Sequence, residues 1–348
     1  MSLLITGGTG FVLSHVVKQW LEKNSQNRVV VVDTSGLDWE AQVFFGPLAR
    51  RIQLVSADVL DPESWSKEFD ANLITRVIHG AAVSPISTDP SSSPDWQAPS
   101  RTVRINVMGT VAALDWVRQL KNLKRFLYMS SGVYGYGKKG LSQVGPEPAI
   151  DEDAPLEPQA ALYDISKAIS EQLVRRYSEL YGFSYVCVRP SAVYGPLDRD
   201  TLSRTVHPLP FHMAHAAASG KKDYSVNCLD ASYDWVYAPD VARAILYLLS
   251  SAEPKYSTYN IGYGRYSTVN DLVSGVRTTV PDFRVIESGD SKPDYFQAVG
   301  MRGGVWRVRS TARLEEEFGW HPTPHGKALG DYVNWIRRCS EERQVSQE

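Results

Sequence analysis

The stretch LLITGGTGFVLSHVV, Leu3–Val17, decides the fold. It runs from a short apolar segment through a glycine cluster into apolar positions at helical spacing. Strand, tight turn and helix in that order place a pyrophosphate on a helix N-terminus in a dinucleotide-binding βαβ unit. Gly7 and Gly10 stand where the turn needs them, and the amides near Gly10, Phe11 and Val12 are the expected anion ligands. Three residues on, where a small residue lets the helix pack close to the strand, stands Leu13. A leucine there must push the helix outward or find smaller neighbours.

Outward from this unit, strand-like and helix-like segments alternate. RVVVVD (Arg28–Asp33), RIQLVSAD (Arg51–Asp58), RVIHGAA (Arg76–Ala82), KRFLYMSS (Lys124–Ser131) and FSYVCVRP (Phe183–Pro190) are β-rich and almost continuously apolar. Strands of a parallel sheet buried on both faces read this way. Helical patterns lie between them at Val12–Lys23, Asn106–Lys121 and Tyr163–Tyr181. The rhythm predicts an α/β fold: a doubly wound parallel sheet (Rossmann) with a smaller mixed α/β C-terminal substrate-binding domain. The expected division is 1–197, with 236–262 returning to it, for the nucleotide domain, and 198–235 with 263–348 for the substrate domain. Ser84–Ser100, rich in Ser and Pro, reads as a mobile loop after a strand end.

Bulk properties narrow the partners. The chain has 348 residues and a net charge of −2, with Lys and Arg scattered, so no nucleic acid is expected. Three distant cysteines, Cys187, Cys228 and Cys339, argue for a reducing, cytoplasmic setting. The fold pattern begins at Leu3, leaving no room for a signal peptide, and no apolar run approaches membrane-spanning length. A small-molecule substrate is the expected partner. His207, His212 and His215 lack a carboxylate or Cys to complete a metal set, so no metal is expected.

Asp33 closes the second strand about twenty residues past the glycine loop, where a carboxylate accepts hydrogen bonds from the adenosine ribose. No Arg follows it to neutralise a 2′-phosphate, so NAD is expected over NADP. Asp58, with Val59 after it, reads either as a group at the adenine edge or as a solvated strand-end Asp. The chemistry is carried by YDISK, Tyr163–Lys167. Tyr and Lys four apart share one helical face, and a nearby ammonium favours the phenolate, which suits Tyr163 to general-base work. Upstream, YMSSGVYG (Tyr128–Gly135) sets hydroxyls at the carboxyl end of a parallel strand, where open α/β sheets bind ligands.

With TGGTGFV, HGAAVSP, INVMGT, YMSSGVYG, YDISK, RPSAVYGP, YDWVYAPDVARAI, YNIG and FGWHPTP in place, nearly the whole chain resembles the extended short-chain dehydrogenase/reductase family, the NAD-dependent epimerase/dehydratase group. The resemblance implies that Tyr163 is the base and Lys167 its helper, which also binds the nicotinamide ribose. It further implies that Asn106 and the Gly80–Ala82 turn (Gly80, Ala81, Ala82) line the cofactor, with Pro190 and Val193 against its nicotinamide end. A homodimer is the expected assembly. The serine is ambiguous: counting from the strand gives Ser131, counting back from Val133-Tyr134-Gly135 gives Ser130, and Ser131 is preferred.

Departures from the family pattern bear on the substrate. Ala192 replaces the usual Asn, and Tyr233 stands before Asp234-Trp235 where sugar-nucleotide members carry the arginine that meets a diphosphate. Gly132 and Val133 occupy the positions of the dehydratase-type Asp-Glu, and the decarboxylase-type Glu is missing too. Trp235, Tyr237, Tyr263 and Tyr266 fill the second domain or face a ring-shaped substrate. The sequence therefore reads as an NAD-dependent oxidoreductase or epimerase acting at a secondary alcohol of a non-nucleotide substrate. The alternative is a nucleoside-diphosphate-sugar epimerase reading its diphosphate through groups such as Arg302 or Arg307. A catalytically silent NAD-binding regulator is the rival of another class, and the intact Ser/Tyr/Lys set argues against it.

Overall fold

The computed structural model describes residues 2–83, 99–132, 149–156, 162–201, 204, 206–288, 292–295 and 308–345. Six strands, β1 (Ser2–Thr6), β2 (Arg28–Asp33), β3 (Ile52–Ser56), β4 (Ile74–His79), β5 (Arg125–Met129) and β6 (Tyr185–Pro190), join a seventh, Thr258–Ile261, in one sheet. Every pairing is parallel, in the order Thr258–Ile261, β6, β5, β4, β1, β2, β3. The chain runs outward from β1 to β2 and β3, then crosses to β4 on the other side. That reversal opens a crevice at the carboxyl ends of β1 and β4.

Strand alternation divides the core into two layers. Leu3, Ile5, Val29, Val31, Ile78, Leu127 and Val188 pack toward helix α1 (Phe11–Lys23) and the helix Ala238–Ser250. Leu4, Val30, Val32, Val77, Phe126 and Cys187 pack on the opposite face with Trp65, Trp116 and Val174. Cys187 and Cys228 are buried and Cys339 is partly buried, and none of the three is in a disulfide.

Beyond Pro196 the elements are shorter. Trp235–Tyr237 pairs with Ala192–Tyr194, Ser267–Thr268 with Ser232–Tyr233, and Arg284–Glu287 with Asp223–Val226. Helices Leu209–Ala218, Val269–Arg277 and His325–Val345 bury their apolar faces in continuity with the first layer.

Several element bounds differ from expectation by a few residues, among them a helix end expected at Lys121 and observed at Val117. Helix begins at Pro99, not Asn106, so the last two residues of the expected loop Ser84–Ser100 are helical. Proline suits a first helical turn because its missing N–H has no intrahelical acceptor there. The helix passes through a π turn at Arg104–Met108 and ends as α-helix over Gly109–Val117. Residues 84–98 lie outside the described residues, as do Val133-Tyr134-Gly135, Arg302 and Arg307. Among the described residues no helix is long and apolar enough to cross a membrane.

Candidate active site

The glycine loop is held by its own backbone. Gly7 adopts φ +75° and donates to Val32 O at 2.9 Å. A Cβ on Gly7 would stand 2.7 Å from Ala81 N, so no side chain fits between the loop and the β4 turn. Gly10 caps α1 without a side-chain hydrogen bond, and the first turn carries no acidic residue. Helix geometry leaves the amides of Phe11 and Val12 without intrahelical acceptors, facing an anion with the positive end of the dipole. Gly10's amide instead donates to Gly7 O at 3.2 Å and closes the loop. Of the three expected anion ligands, Gly10 shapes the turn.

Leu13 is buried at 4% exposure. A Cβ on Gly80 would lie 2.3 Å from Leu13 Cδ1, so the leucine fills the space a side chain at position 80 would take. Of the two expected accommodations, the structure shows the smaller neighbour.

Asp33 closes β2 beside the loop: Oδ2 accepts from Thr9 N at 3.1 Å and Oδ1 from Ser35 N at 3.1 Å. The carboxylate is thus oriented next to the loop that takes a pyrophosphate. NAD(H) is expected to bind about tenfold or more tightly than NADP(H), because a 2′-phosphate would meet this charge. Asp33→Ala with an added Arg nearby should narrow the gap; a parent protein that prefers NADP(H) in calorimetric titration would overturn the assignment. Asp58 is exposed and accepts from Leu60 N at 3.0 Å in a local turn, while Val59 is buried against Gly109.

At the end of β4, Gly80 donates to Thr6 O at 3.1 Å, and Ala81 meets Thr6 Oγ1 at 3.4 Å. Ala82 leads into Val83, which Asn106 holds at both ends: Oδ1 accepts Val83 N at 2.8 Å and Nδ2 donates to Val83 O at 3.0 Å. Nδ2 also donates to Ser166 Oγ at 3.0 Å, whose hydroxyl donates to Tyr163 O at 2.7 Å. What the structure shows of Asn106 is a clamp between the β4 turn and the helix carrying Tyr163.

That helix, Leu162–Tyr181, sets Lys167 under the end of β5. Lys167 Nζ donates to Met129 O at 2.8 Å and lies 5.7 Å from the Tyr163 ring centroid. Burial without a counter-charge pushes Lys167 down to about 7. The neighbouring serines separate. Ser130 Oγ donates to Glu171 Oε2 at 2.9 Å, so its hydroxyl is engaged in the interior; Ser131 follows, 7% exposed, at the carboxyl end of the strand.

Pro190 and Val193 border the same end of the sheet. Gly132 N donates to Pro190 O at 2.8 Å, and Val193 pairs with Val236. Ala192 is exposed. Tyr233 lies beside Trp235 with ring centroids 5.0 Å apart. Asp234 is buried and accepts from Arg309 N at 2.9 Å; burial raises its carboxyl to about 6 against these hydrogen bonds. Trp235 and Tyr237 are core residues, and Tyr263 stacks on His325 at 4.0 Å. His207 is wedged between Asp198 and Asp200, 2.9 Å from each, and stacks on Phe211. Asp198 also takes Arg204, whose guanidinium lies 5.1 Å from the Phe11 ring. Sequence reasoning missed this cluster and the buried Glu171–Arg189 pair behind the serines. An arginine inside an otherwise apolar strand was the available sign.

The NAD dependent epimerase/dehydratase family profile matches residues 3–262. The chain belongs to the NAD-dependent epimerase/dehydratase family. It is an enzyme of the extended short-chain dehydrogenase/reductase type, with NAD as its cofactor. Among its relatives is a putative UDP-glucose 4-epimerase of Methanocaldococcus jannaschii, 27% identical, with 96% of this chain and 98% of the relative aligned. A decarboxylating sterol-4-alpha-carboxylate 3-dehydrogenase of Candida albicans is 25% identical over 70% of this chain and 63% of its own. The crystal structure of UDP-glucose 4-epimerase with UDP-glucose from Thermotoga maritima superposes with a TM-score of 0.75 at 25% identity, covering 97% and 99% of the two chains.

Proposed function

We propose that the enzyme is a nucleoside-diphosphate-sugar epimerase that inverts a secondary alcohol carbon of the sugar through a transient ketone. The observation that carries this is end-to-end likeness to UDP-glucose 4-epimerases, which extends past residue 262 into the substrate-binding part. Ala192 and Tyr233 by themselves favour a non-nucleotide substrate. A missing arginine at one position leaves a diphosphate other cations to meet, so the likeness outweighs it. Dehydration is the less suited reaction, because Gly132 and Val133 stand where its Asp-Glu pair belongs.

The residues present fit the cofactor: the close loop at Gly7, the uncapped start of α1 at Phe11 and Val12, and the Asp33 carboxylate form a dinucleotide cradle. Gly10, Asp58, Val59, Gly80, Ala81, Ala82, Asn106, Pro190 and Val193 complete the proposed cofactor site. NAD, when bound, supplies the hydride acceptor and donor. Tyr163 removes the hydroxyl proton and returns it after inversion, Lys167 favours the phenolate and holds the ribose, and Ser131 holds the alcohol or ketone oxygen.

The proposed division at 197, 236 and 262 is supported by the strand Thr258–Ile261, which joins the main sheet. Three cysteines outside any disulfide accord with a reducing, cytoplasmic compartment. For a homodimer, helices around Val103, Met108 and Ile169 offer exposed apolar side chains on adjacent elements.

Incubation with UDP-galactose and, separately, UDP-glucose tests the reading: each should convert to the other epimer with no net NADH. A second reading, oxidation of a non-nucleotide alcohol to a released ketone, draws on Tyr233 and the sterol dehydrogenase relative. Net NADH formation from non-nucleotide alcohols, with both sugar nucleotides unchanged, would establish it instead.

A further inference from the structure

Helical spacing puts Tyr163, Lys167 and Glu171 one turn apart on one face of the helix Leu162–Tyr181. A lysine with a carboxylate four residues on has a ready partner, and a paired lysine offers a weakened field to the tyrosine on its other side. The structure shows a different pairing. Glu171 takes the Arg189 guanidinium on both carboxylate oxygens, and both side chains are 7% exposed. Arg189 reaches it from the end of β6, where Nη1 also donates to Glu152 O at 2.9 Å. Lys167 is left to the neutral carbonyl of Met129, with its ammonium near the Tyr163 ring.

We propose that Arg189 is a positioning residue for the reaction: by capturing Glu171 it keeps that carboxylate off Lys167 and leaves the lysine's charge to act on Tyr163. This rests on Tyr163 as the base, not on the identity of the substrate. Among the described residues, the other titratable groups facing this helix from the sheet are neutral at working pH. Burial pushes His79 on β4 down to about 3, and raises Tyr128 on β5 and Cys187 on β6. Tyr163 and Lys167 then titrate as a coupled pair. A carboxylate released beside them favours the protonated form of each group and moves both proton losses of the pair to higher pH.

The test follows tyrosinate ultraviolet absorbance against pH in the NAD-loaded enzyme, with Tyr163→Phe as the blank. In the parent, Tyr163 should ionise below the ordinary value of about 10. Arg189→Met should raise that midpoint by about one unit or more, and Arg189→Lys should restore it. The double variant Arg189→Met/Glu171→Met removes the carboxylate too, replaces a buried ion pair by apolar groups, and should return to the parent midpoint. A parent-like midpoint in Arg189→Met, or a raised one in the double variant, overturns the proposal. If Arg189→Met does not fold, Arg189→Gln takes its place, and if neither folds the double variant decides alone. Ionisation of parent Tyr163 only at its ordinary value would overturn the base assignment and this proposal together. Failure to turn over UDP-galactose would leave the titration untouched.

Discussion

Tyr163→Phe is expected to lower turnover by about a hundredfold or more, because it deletes the phenol proposed to move the alcohol proton. The ring stays, so packing beside Lys167 is preserved and NAD affinity should hardly change. Lys167→Ala should behave differently. It removes the donor to Met129 O, empties a buried volume and takes away the proposed ribose contact, so turnover, NAD affinity and stability all fall. Initial rates with the substrate that the protein turns over, together with NAD calorimetry, separate the two patterns. Near-parental turnover by Tyr163→Phe would remove it from the chemistry.

The sheet was legible because its strands are buried on both faces. RVVVVD buries Val29 through Val32 with no polar alternation, and only a parallel sheet covered by helices accepts that. Helix limits at Lys23 and Tyr181 followed from periodicity and agree with the structure. The start at Pro99 did not, because Ser- and Pro-rich composition is shared by loops and first helical turns. The π turn at Asn106 has no sequence pattern of its own; it accompanies the bonds that Asn106 makes to Val83 and Ser166.

Within the site, spacing along one helix was readable and pairing across elements was not. Tyr163 and Lys167 declare themselves four residues apart, whereas Ser130 and Ser131 are chemically identical in sequence. Glu171, on another element, takes the Ser130 hydroxyl, which supports the proposal of Ser131 as the catalytic serine. The substrate reading leaned on an absent amide at Ala192 and an absent charge at Tyr233. An absent group locates nothing, because the diphosphate contact can arise from any segment that the fold brings to the same cleft.

Leu13→Gly restores the small residue expected three positions after Gly10, yet it should weaken the protein. Deleting a buried leucine costs about 2–5 kcal/mol by analogy with large-to-small core changes. A glycine inside a helix adds about 1 kcal/mol. Leu13 is buried over Gly80, so the change opens a gap where the β4 turn meets α1 while the amides of Phe11 and Val12 keep their place at the helix start. The expected outcome is a lower melting temperature with little gain in NAD affinity. Gly80→Ala should also destabilise, by about 1–3 kcal/mol, since its Cβ enters the space of Leu13 Cδ1. If the two positions share that space, Leu13→Ala/Gly80→Ala should recover part of the summed loss, a coupling that denaturant melts of the four proteins measure. Additive losses would mean that α1 shifts as a body to accept the leucine. A Leu13→Gly variant as stable as the parent, with much tighter NAD binding, would instead make Leu13 a defect in the cofactor loop.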